Sequence, residues 1–419
     1  MENEGIAFKV IATVDEAFRL WFNKSMSVDD FIDSSRCPEN IRRTVTDILF
    51  TYFRKRQYID ALLYENTKKI DHNAYRILVT AMTQCFYQTG LRKESAVNIA
   101  VEYMKSITKN RGKIGFINAV LRKVLEFDPE EFYFNLSKKK QKKYYPHLFR
   151  RWKHVYGEDN AKQLVSELIK KPEFVFREVK KLSDAELDEV LAEELEGLPN
   201  WGVDVKFFKT TNVQTFFQSN LLADGKVYIQ DPSTVFATSL IKINEGEKVL
   251  DLCAAPGGKS ILLSERLPKD AELILCDVSE RRIGLIKDNL TRIGLDHKII
   301  HTSVEDAPFD AESIDKILLD VPCSNTGVIR KRPDVLWRFD EKELKELIKL
   351  QKQILSSAFS LLKPGGEIVY STCSIEPEEN IGLVENFVED EENAEIVEFK
   401  QLLPNHLHDG GFACLIRKK

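Results

Sequence analysis

Hydrophobic residues recur three and four positions apart through the first part of the chain, over residues 14–126. Ile41, Val45 and Ile48, for example, fall on one side of a helix. Glycine and proline are scarce in this stretch, so the helical pattern is rarely interrupted. The periodicity predicts a compact all-α bundle with short connections, which we place at residues 1–135.

The pattern changes in the second half, where short apolar runs alternate with helical ones. The predicted strands are residues 249–252, 272–276, 298–301, 314–319 and 367–370, with a terminal strand at residues 411–416. A long helix over residues 341–362 is predicted to end before Pro364. Alternating strands and helices predict an α/β fold with a doubly wound, Rossmann-like parallel sheet, which we place at residues 231–419.

Residues 136–230 join these two parts and mix both patterns. A helical run at residues 161–169 is followed by strand-like runs at 174–179 and 203–208. The pattern predicts a small α+β linker module.

A basic cluster begins this linker module. Its members are Lys138, Lys139, Lys140, Lys142, Lys143, Arg150, Arg151 and Lys153. Such a run is either a solvated helical surface or a contact for RNA phosphates, and the sequence leaves both interpretations open.

Length, composition and net charge limit which class of protein this chain can be. A chain of 419 residues predicts two or three domains. No apolar run approaches the ~20 residues of a membrane span, and the acidic start lacks the features of a signal peptide. The seven cysteines are scattered, with none in C-x-x-C spacing, which argues against a disulfide framework or a zinc ribbon. We therefore expect a cytoplasmic protein that needs no metal, and at a net charge of −5 any RNA surface must be local.

The most informative turn lies within residues 249–260, VLDLCAAPGGKS, where a strand runs through two glycines into a helix. Such a turn brings backbone N–H groups close to a ligand. A phosphate-binding loop is disfavoured because its first glycine falls at Cys253, and the dinucleotide glycine spacing is absent. An S-adenosylmethionine (SAM) turn, with Asp251 closing the strand, remains beside the alternative of a purely structural turn.

Acids after the next strands fit the same ligand. Asp277 ends the second strand, where it could accept hydrogen bonds from ribose hydroxyls or simply cap the following helix. Ser303 follows the third strand, with Glu305 and Asp306 close by, and is the candidate for an adenine contact.

Two cysteines follow two further strands. Asp320 ends the fourth strand shortly before Cys323, and Cys373 follows the fifth. A single cysteine usually serves as a small buried hydrophobic residue. Two cysteines at the carboxyl ends of strands in one sheet, however, face the same crevice. The pair indicates thiol chemistry.

Methylation of a pyrimidine at carbon 5 requires such chemistry. A thiolate that adds to carbon 6 makes carbon 5 nucleophilic, and Asp320 near the ring N3 would favour that addition. Because a base in a duplex cannot enter the crevice, we expect a single-stranded or flipped-out substrate. Phosphate and stacking contacts are predicted for the stretch containing Arg330, Lys331, Arg332, Trp337 and Arg338.

Four segments in order resemble the RNA 5-methylcytosine methyltransferases of the RsmB/NOP2/Sun group. They are DLCAAPGGKS, DVSERR, LLDVPCSNTGVIRKRPDVLW and YSTCSIEPEEN. The helical part, with GFINAVLRK at residues 115–123, resembles the NusB-type RNA-binding domain of the bacterial RsmB branch. The resemblance implies a SAM-dependent enzyme that methylates a cytidine of small-subunit (16S) ribosomal RNA.

The resemblance also implies residue roles. Cys373 would be the nucleophile, Cys323 would assist product release, and Asp320 would orient the cytosine and border the cofactor. Asp277 and Arg282 would hold the ribose side of SAM. The remaining cofactor residues would be Cys253, Ala254, Ala255, Pro256, Gly257, Gly258, Lys259 and, for adenine, Ser303.

Departures from the family pattern are few. Ser303 replaces the usual aspartate, Val321 the commoner alanine and Asn325 a small residue, and the segment at Phe176 matches poorly. None touches the predicted nucleophile.

Two rival interpretations stay open. A DNA cytosine methyltransferase would use Cys323 as the attacking thiol, although the helical part and the TCS motif argue against it. A NusB-like RNA-binding or ribosome-assembly factor with a vestigial methyltransferase domain would not need the two cysteines and the cofactor turn, both of which are intact.

Overall fold

The computed structural model describes residues 2–419, with side chains from Gly5 onward. The helices are α1 (Glu2–Phe22), α2 (Val28–Asp33), α3 (Glu39–Asn66), α4 (His72–Tyr87), α5 (Lys93–Ile107), α6 (Arg111–Val124), α7 (Pro129–Asn135), α8 (Lys138–Gln141), α9 (His147–Tyr156), α10 (Glu158–Leu168), α11 (Asp184–Glu189), α12 (Val213–Gln218), α13 (Ser233–Ser239), α14 (Gly258–Ser264), α15 (Glu280–Ile293), α16 (Val335–Arg338), α17 (Glu341–Leu361) and α18 (Ile381–Asp390). The strands are β1 (Phe174–Glu178), β2 (Ala192–Glu194), β3 (Phe207–Thr210), β4 (Val227–Tyr228), β5 (Lys248–Asp251), β6 (Glu272–Asp277), β7 (Lys298–His301), β8 (Ile314–Asp320), β9 (Leu362–Thr372), β10 (Ala394–Leu402) and β11 (Gly411–Lys418).

The described chain divides into two compact units. The first runs to Lys170 and includes Arg332–Arg338, and the second comprises Lys171–Lys331 and Phe339–Lys419. The three-part division into residues 1–135, 136–230 and 231–419 stays a prediction. No helix within residues 2–419 is long and apolar enough to cross a membrane.

The first unit is helical, as its periodicity predicts. The apolar stripe of α3 is buried, with Ile41, Val45 and Ile48 at most 2% exposed. On α6, Ile117 and Leu121 face the same core, so the amphipathic helix predicted over residues 115–123 is confirmed. The core therefore forms where helices present one apolar face each.

The segment Arg332–Arg338 belongs to this helical unit, although it follows the strands of the other unit in sequence. The indole Nε1 of Trp337 donates to the carbonyl oxygen of Phe53 at 2.8 Å, and the Arg56 guanidinium lies 4.8 Å from the Trp337 ring centroid. Arg338 pairs with the buried carboxylate of Asp334 at 3.1 Å. Trp337 is half-buried in these contacts, and its predicted role in base stacking stays a prediction.

The second unit contains a small antiparallel sheet in the order β2-β3-β1-β4. The run predicted at 174–179 is β1, but the strand predicted at 203–208 is wrong in position, because β3 covers Phe207–Thr210 instead. Phe176 and Phe208 stack on one another at the centre of this module.

The larger sheet of this unit has the order β10-β11-β9-β8-β5-β6-β7. Strands β7, β6, β5, β8 and β9 run parallel, which confirms the predicted doubly wound part. Strand β11 pairs antiparallel with β9, and β10, which the pattern did not predict, pairs antiparallel with β11. The chain order reverses direction at β5, so the crevice beyond β5 and β8 is the expected ligand site.

Successive side chains of the central strands point to opposite faces of the sheet, and apolar residues are buried on both faces. Leu250 and Ile317 point to a core shared with α17 and α18, whereas Val249 and Leu318 point to one shared with α14 and α15. Because both faces are covered, the sheet is rigid and its strand ends are fixed positions for functional side chains.

Candidate active site

The turn after β5 needs its two glycines for different reasons. Gly257 adopts φ +98°, a conformation that L side chains rarely adopt. A Cβ on Gly258 would lie 2.8 Å from Nε2 of Gln230. The predicted cofactor residues Cys253 to Lys259 therefore form a tight turn that leads into α14 at the crevice.

Asp251, at the end of β5, is 1% exposed. Its Oδ2 accepts a hydrogen bond from the hydroxyl of Ser260 at 2.6 Å, whereas its buried Oδ1 has no partner among the described residues. Burial raises the pKa of Asp251 to about 7, with the Ser260 hydrogen bond acting against that shift and the Asp320 charge adding to it. The site thus contains a buried acceptor that lacks a donor.

Asp277, at the end of the neighbouring strand β6, is also buried. Its two oxygens accept from the backbone N–H of Ala255 at 3.1 Å and of Ser279 at 2.9 Å. The guanidinium of Arg282 donates to the carbonyl of Ala255 at 2.8 Å and lies 3.9 Å from Asp277. A carboxylate offers about four acceptor positions, so Asp277 keeps capacity for ribose hydroxyls.

Ser303 follows β7, as predicted, but its hydroxyl donates to Asp306 at 2.8 Å and accepts from the Asp306 backbone at 3.1 Å. This hydroxyl stabilises a local turn. Its predicted contact with adenine stays a prediction.

The two predicted catalytic cysteines meet in the structure. Asp320 on β8 pairs in register with Ser371 on β9, and the loops that follow bring the sulfurs of Cys323 and Cys373 to 3.0 Å. Cys323 is buried, whereas Cys373 is half-buried. The hydrogen bond with Cys373 raises the pKa of Cys323 well above its usual value, and burial and the nearby Glu379 charge act in the same direction. Cys323 is therefore held as a thiol.

Lys259 links the cofactor turn to Asp320. Its Nζ donates to Oδ2 of Asp320 at 2.6 Å, while the hydroxyl of Ser371 donates to Oδ1 at 2.6 Å. Burial favours the neutral amine, but Asp320 outweighs it and raises the pKa of Lys259 above its usual value. Lys259 is therefore a cation beside the carboxylate predicted to orient cytosine, a role that the sequence did not reveal.

Two further residues were not predicted as functional. Asn325, in a left-handed conformation at φ +60°, accepts from the Cys373 sulfur at 3.2 Å and donates to the Cys323 carbonyl at 2.9 Å. The sequence analysis treated Asn325 only as a departure from the family that does not touch the nucleophile. That expectation is wrong, because the loop after β8 brings the Asn325 side chain against the Cys373 sulfur. Glu379 is buried and accepts from Ser374, next to Cys373, at 2.6 Å.

These residues fit the predicted cofactor. The unpartnered Oδ1 of Asp251 suits a cationic ammonium group, and Asp277 suits ribose hydroxyls one strand away. In the described part of the chain, no three His, Cys, Asp or Glu side chains are grouped as a metal site would require.

A basic surface lies on the helical unit, over α8 and the short 3₁₀ turn Lys142–Tyr144. Lys138, Lys139, Lys142 and Lys143 are exposed. Other basic residues have internal partners: Arg330 pairs with Asp409 at 3.2 Å, for example.

The sheet order, the glycine turn after β5 and the acids on β5 and β6 together define a SAM-dependent methyltransferase of the doubly wound class. Residues 238–411 match the family model "16S rRNA methyltransferase RsmB/F", and residues 1–126 match the "NusB family".

Curated relatives agree with these family models. The ribosomal RNA small subunit methyltransferase B of Shewanella oneidensis is 31% identical over 324 residues, which cover 75% of this chain and 72% of the relative. A probable ribosomal RNA small subunit methyltransferase B of Bacillus subtilis is 29% identical, and the match covers 93% of each chain. The match to the Salmonella arizonae protein of that name, 39% identical, spans about half of each chain, 47% of this one and 48% of the relative.

The chain therefore belongs to the ribosomal RNA small subunit methyltransferase B family. This confirms the predicted family, and with it the prediction of a SAM-dependent RNA methyltransferase.

Solved structures agree in fold. "Crystal Structure of PH0851" has a TM-score of 0.75 at 24% identity, covering 98% of this chain and 99% of that one. NSun6 from Pyrococcus horikoshii has a TM-score of 0.55 at 19% identity, covering 65% of this chain and 98% of that one. The fold class predicted from sequence is confirmed.

Proposed function

We propose that this enzyme methylates carbon 5 of a cytidine in small-subunit ribosomal RNA through a covalent bond between Cys373 and carbon 6 of the base. The observation that carries the proposal is the meeting of Cys323 and Cys373 at 3.0 Å, at the carboxyl ends of neighbouring strands beside the Lys259–Asp320 pair. When bound, SAM supplies the methyl group as an electrophile.

We assign the remaining steps of the reaction to residues of the chain itself. Cys373 adds to carbon 6 as a thiolate, which makes carbon 5 nucleophilic, while Asp320 holds the ring N3 and exocyclic amine. After methylation, a base removes the carbon 5 proton, and the electron pair of that C–H bond forms the C5=C6 double bond as the Cys373 thiolate leaves. We assign the assistance of that release to Cys323, which is supported by its raised pKa and by the 3.0 Å between its sulfur and that of Cys373.

Cofactor binding is assigned to the turn and to the acids around it. Residues Cys253 to Lys259 line the methionine and ribose parts of SAM, Asp277 and Arg282 hold the ribose side, Ser303 contacts adenine and Asp320 borders the site. The unpartnered Oδ1 of Asp251 adds an acceptor for the α-ammonium group.

RNA binding is assigned to the helical part and to the exposed lysines of α8 and the following turn. The target cytidine is single-stranded or flipped out, because the reacting carbon must reach a crevice at the edge of the sheet. We further propose that residues 136–230 link the RNA-binding and catalytic parts, and that the enzyme acts in the cytoplasm, where ribosomal RNA would be its substrate.

Trapping on RNA that contains 5-fluorocytosine tests the proposal, because fluorine at carbon 5 cannot leave as a proton and the covalent adduct accumulates. With SAM present, the wild-type chain should shift on a denaturing gel and Cys373→Ala should not. Cys323→Ala should remain attached even to unmodified RNA, since release is impaired.

Two outcomes would replace parts of this proposal. If no variant shifts while RNA binding persists, the chain is an RNA-binding or assembly factor with a decayed catalytic site. If only Cys323→Ala abolishes the shift, Cys323 is the nucleophile and the two thiol roles are exchanged.

A further inference from the structure

Glu379 lies between β9 and α18 and is fully buried, at 0% exposure. Its carboxylate accepts from the backbone N–H of Ser324 at 2.8 Å and from the hydroxyl of Ser374 at 2.6 Å. The Ser324 hydroxyl makes a further, short hydrogen bond to the same group. Burying a charged carboxylate is costly, and hydrogen bonds of this kind offset that cost.

The donors come from both loops that carry the cysteines. Ser324 directly follows Cys323, and Ser374 directly follows Cys373. One carboxylate therefore connects the two loops whose sulfurs lie 3.0 Å apart.

A long helix completes the arrangement. The side-chain amide of Gln351, on α17, donates to Glu379 at 2.9 Å and to the carbonyl of Pro322 at 2.9 Å. Oε1 of Glu379 thus accepts from Ser324 N and Gln351, and Oε2 from two hydroxyls, which fills the four acceptor positions of a carboxylate. Such a saturated group has one stable orientation.

From this geometry we infer that Glu379 is a positioning residue, which fixes the distance between Cys323 and Cys373 for the covalent step. It acts through the two serines and does not touch the base. The inference rests on the proposed function, because the spacing matters only if Cys373 forms an adduct that Cys323 helps to resolve.

If Glu379 only stabilised the fold, its replacement would impair adduct formation, SAM binding and RNA binding to a similar extent. A positioning role predicts a narrower effect, since the SAM turn and the RNA-binding surface lie elsewhere in the chain. Misplacement of a reacting group by about 1 Å costs up to about 100-fold in rate.

Glu379→Gln is the decisive variant, with the exposed neighbour Glu378→Gln as its matched control. Glutamine keeps the size of the side chain but turns an NH₂ group toward donors that need an acceptor. We expect adduct formation on 5-fluorocytosine RNA to slow at least about tenfold, while SAM affinity and the KM for RNA stay within about twofold. Glu378→Gln should behave as wild type in each assay.

A second readout needs neither RNA nor SAM. Phenylarsine oxide bridges two adjacent thiols: two As–S bonds form, and the arsenic-bound oxygen leaves as water with the two thiol protons. The wild-type chain should be captured at the Cys323–Cys373 pair, Cys323→Ser should not, and Glu379→Gln should be captured more slowly.

Ser374→Ala removes one hydrogen bond to Glu379 and covers the case in which Glu379→Gln fails to fold. It should slow both the adduct and the arsenical reaction, with SAM affinity retained. The inference would be overturned if a folded Glu379→Gln variant formed the adduct and reacted with the arsenical at rates within twofold of wild type. If Glu379→Gln does not fold, the same result in Ser374→Ala would overturn it. A wild-type chain that forms no adduct would refute the proposed function instead, while arsenical capture would still test the spacing.

Discussion

The buried carboxyl of Asp251 should make folding stability depend on pH. Its pKa of about 7 in the folded chain compares with about 3.9 in an unfolded one. Because the folded state holds the proton more tightly, the stabilisation is complete below about pH 4 and is lost as the pH rises to about 7. A shift of about three units corresponds to about 4 kcal/mol in the free energy of unfolding over that range.

The same carboxyl should make SAM affinity depend on pH in the opposite sense. An ammonium group beside Oδ1 favours the charged carboxylate, so binding must remove the proton that Asp251 carries at low pH. With a pKa of about 7, nearly all of the free enzyme is protonated at pH 5.5 and only a minority at pH 7.5. Ionisation of Asp251 alone would tighten SAM binding about 25-fold between pH 5.5 and pH 7.5, and loss of part of the ammonium charge at pH 7.5 reduces the expected change to about 15-fold.

Calorimetric titration of SAM at pH 5.5, 6.5 and 7.5 measures this dependence directly. The range stops at pH 7.5 because an α-amino group has a pKa of about 7.7–8.0, and above that pH most of the ammonium charge of the cofactor is lost. Asp251→Asn keeps the shape of the side chain but cannot titrate, so its affinity should be weak and nearly constant over the range.

Ser260→Ala sharpens the test. The hydroxyl of Ser260 donates to Asp251 and lowers its pKa, so its removal should move the midpoint of the affinity change to higher pH. Wild-type affinity that changes less than threefold between pH 5.5 and 7.5, or an equal slope in Asp251→Asn, would refute the assignment of Asp251 to the ammonium group.

Three further variants test other contacts. Lys259→Met leaves Asp320 without its ion pair, and single-turnover adduct formation should fall about 10- to 100-fold while the circular dichroism spectrum is unchanged. Asn325→Gly keeps the left-handed backbone but removes the acceptor of the Cys373 proton, so alkylation of that thiol by iodoacetamide should speed up several-fold; an unchanged rate would contradict this. Trp337→Phe loses the indole hydrogen bond within the helical unit and should cost about 1–2 kcal/mol in urea unfolding, against no change if that contact is unimportant.

The central strands could be predicted from sequence because local signals determine them. Each is a short apolar run followed by a polar residue, and β5, β6 and β8 end at Asp251, Asp277 and Asp320. Since parallel strands place their carboxyl ends at one edge, those three acids could be assigned to one crevice without knowledge of the strand order.

The sequence pattern did not predict strand β10, and the reason is physical. It is at the edge of the sheet and exposes Val397, Glu398, Phe399 and Lys400, so its sequence lacks the apolar run of a buried strand. Its pairing with β11 supplies the backbone hydrogen bonds that local sequence does not indicate.

Contacts between residues that are distant in sequence could not be predicted either. Trp337 lies 284 positions from Phe53, and nothing in the basic, aromatic stretch around it indicates the hydrogen bond between them. The Lys259–Asp320 pair depends likewise on the register of β5 with β8.

The choice between two candidate nucleophiles shows how such contacts bear on function. From sequence, either Cys323 or Cys373 could attack the base. An attacking thiol must both reach its substrate and ionise, and burial, the neighbouring thiol and the Glu379 charge oppose ionisation of Cys323. The same surroundings suit Cys323 to the complementary task, because a thiol that keeps its proton can stabilise the Cys373 thiolate as the adduct breaks down. Cys373 is half-buried whereas Cys323 is buried, so Cys373 is also the thiol that a base reaches more easily. The assignment of Cys373 as the attacking residue stays a proposal, and it rests on side chains around the cysteines that neither motif contains in full.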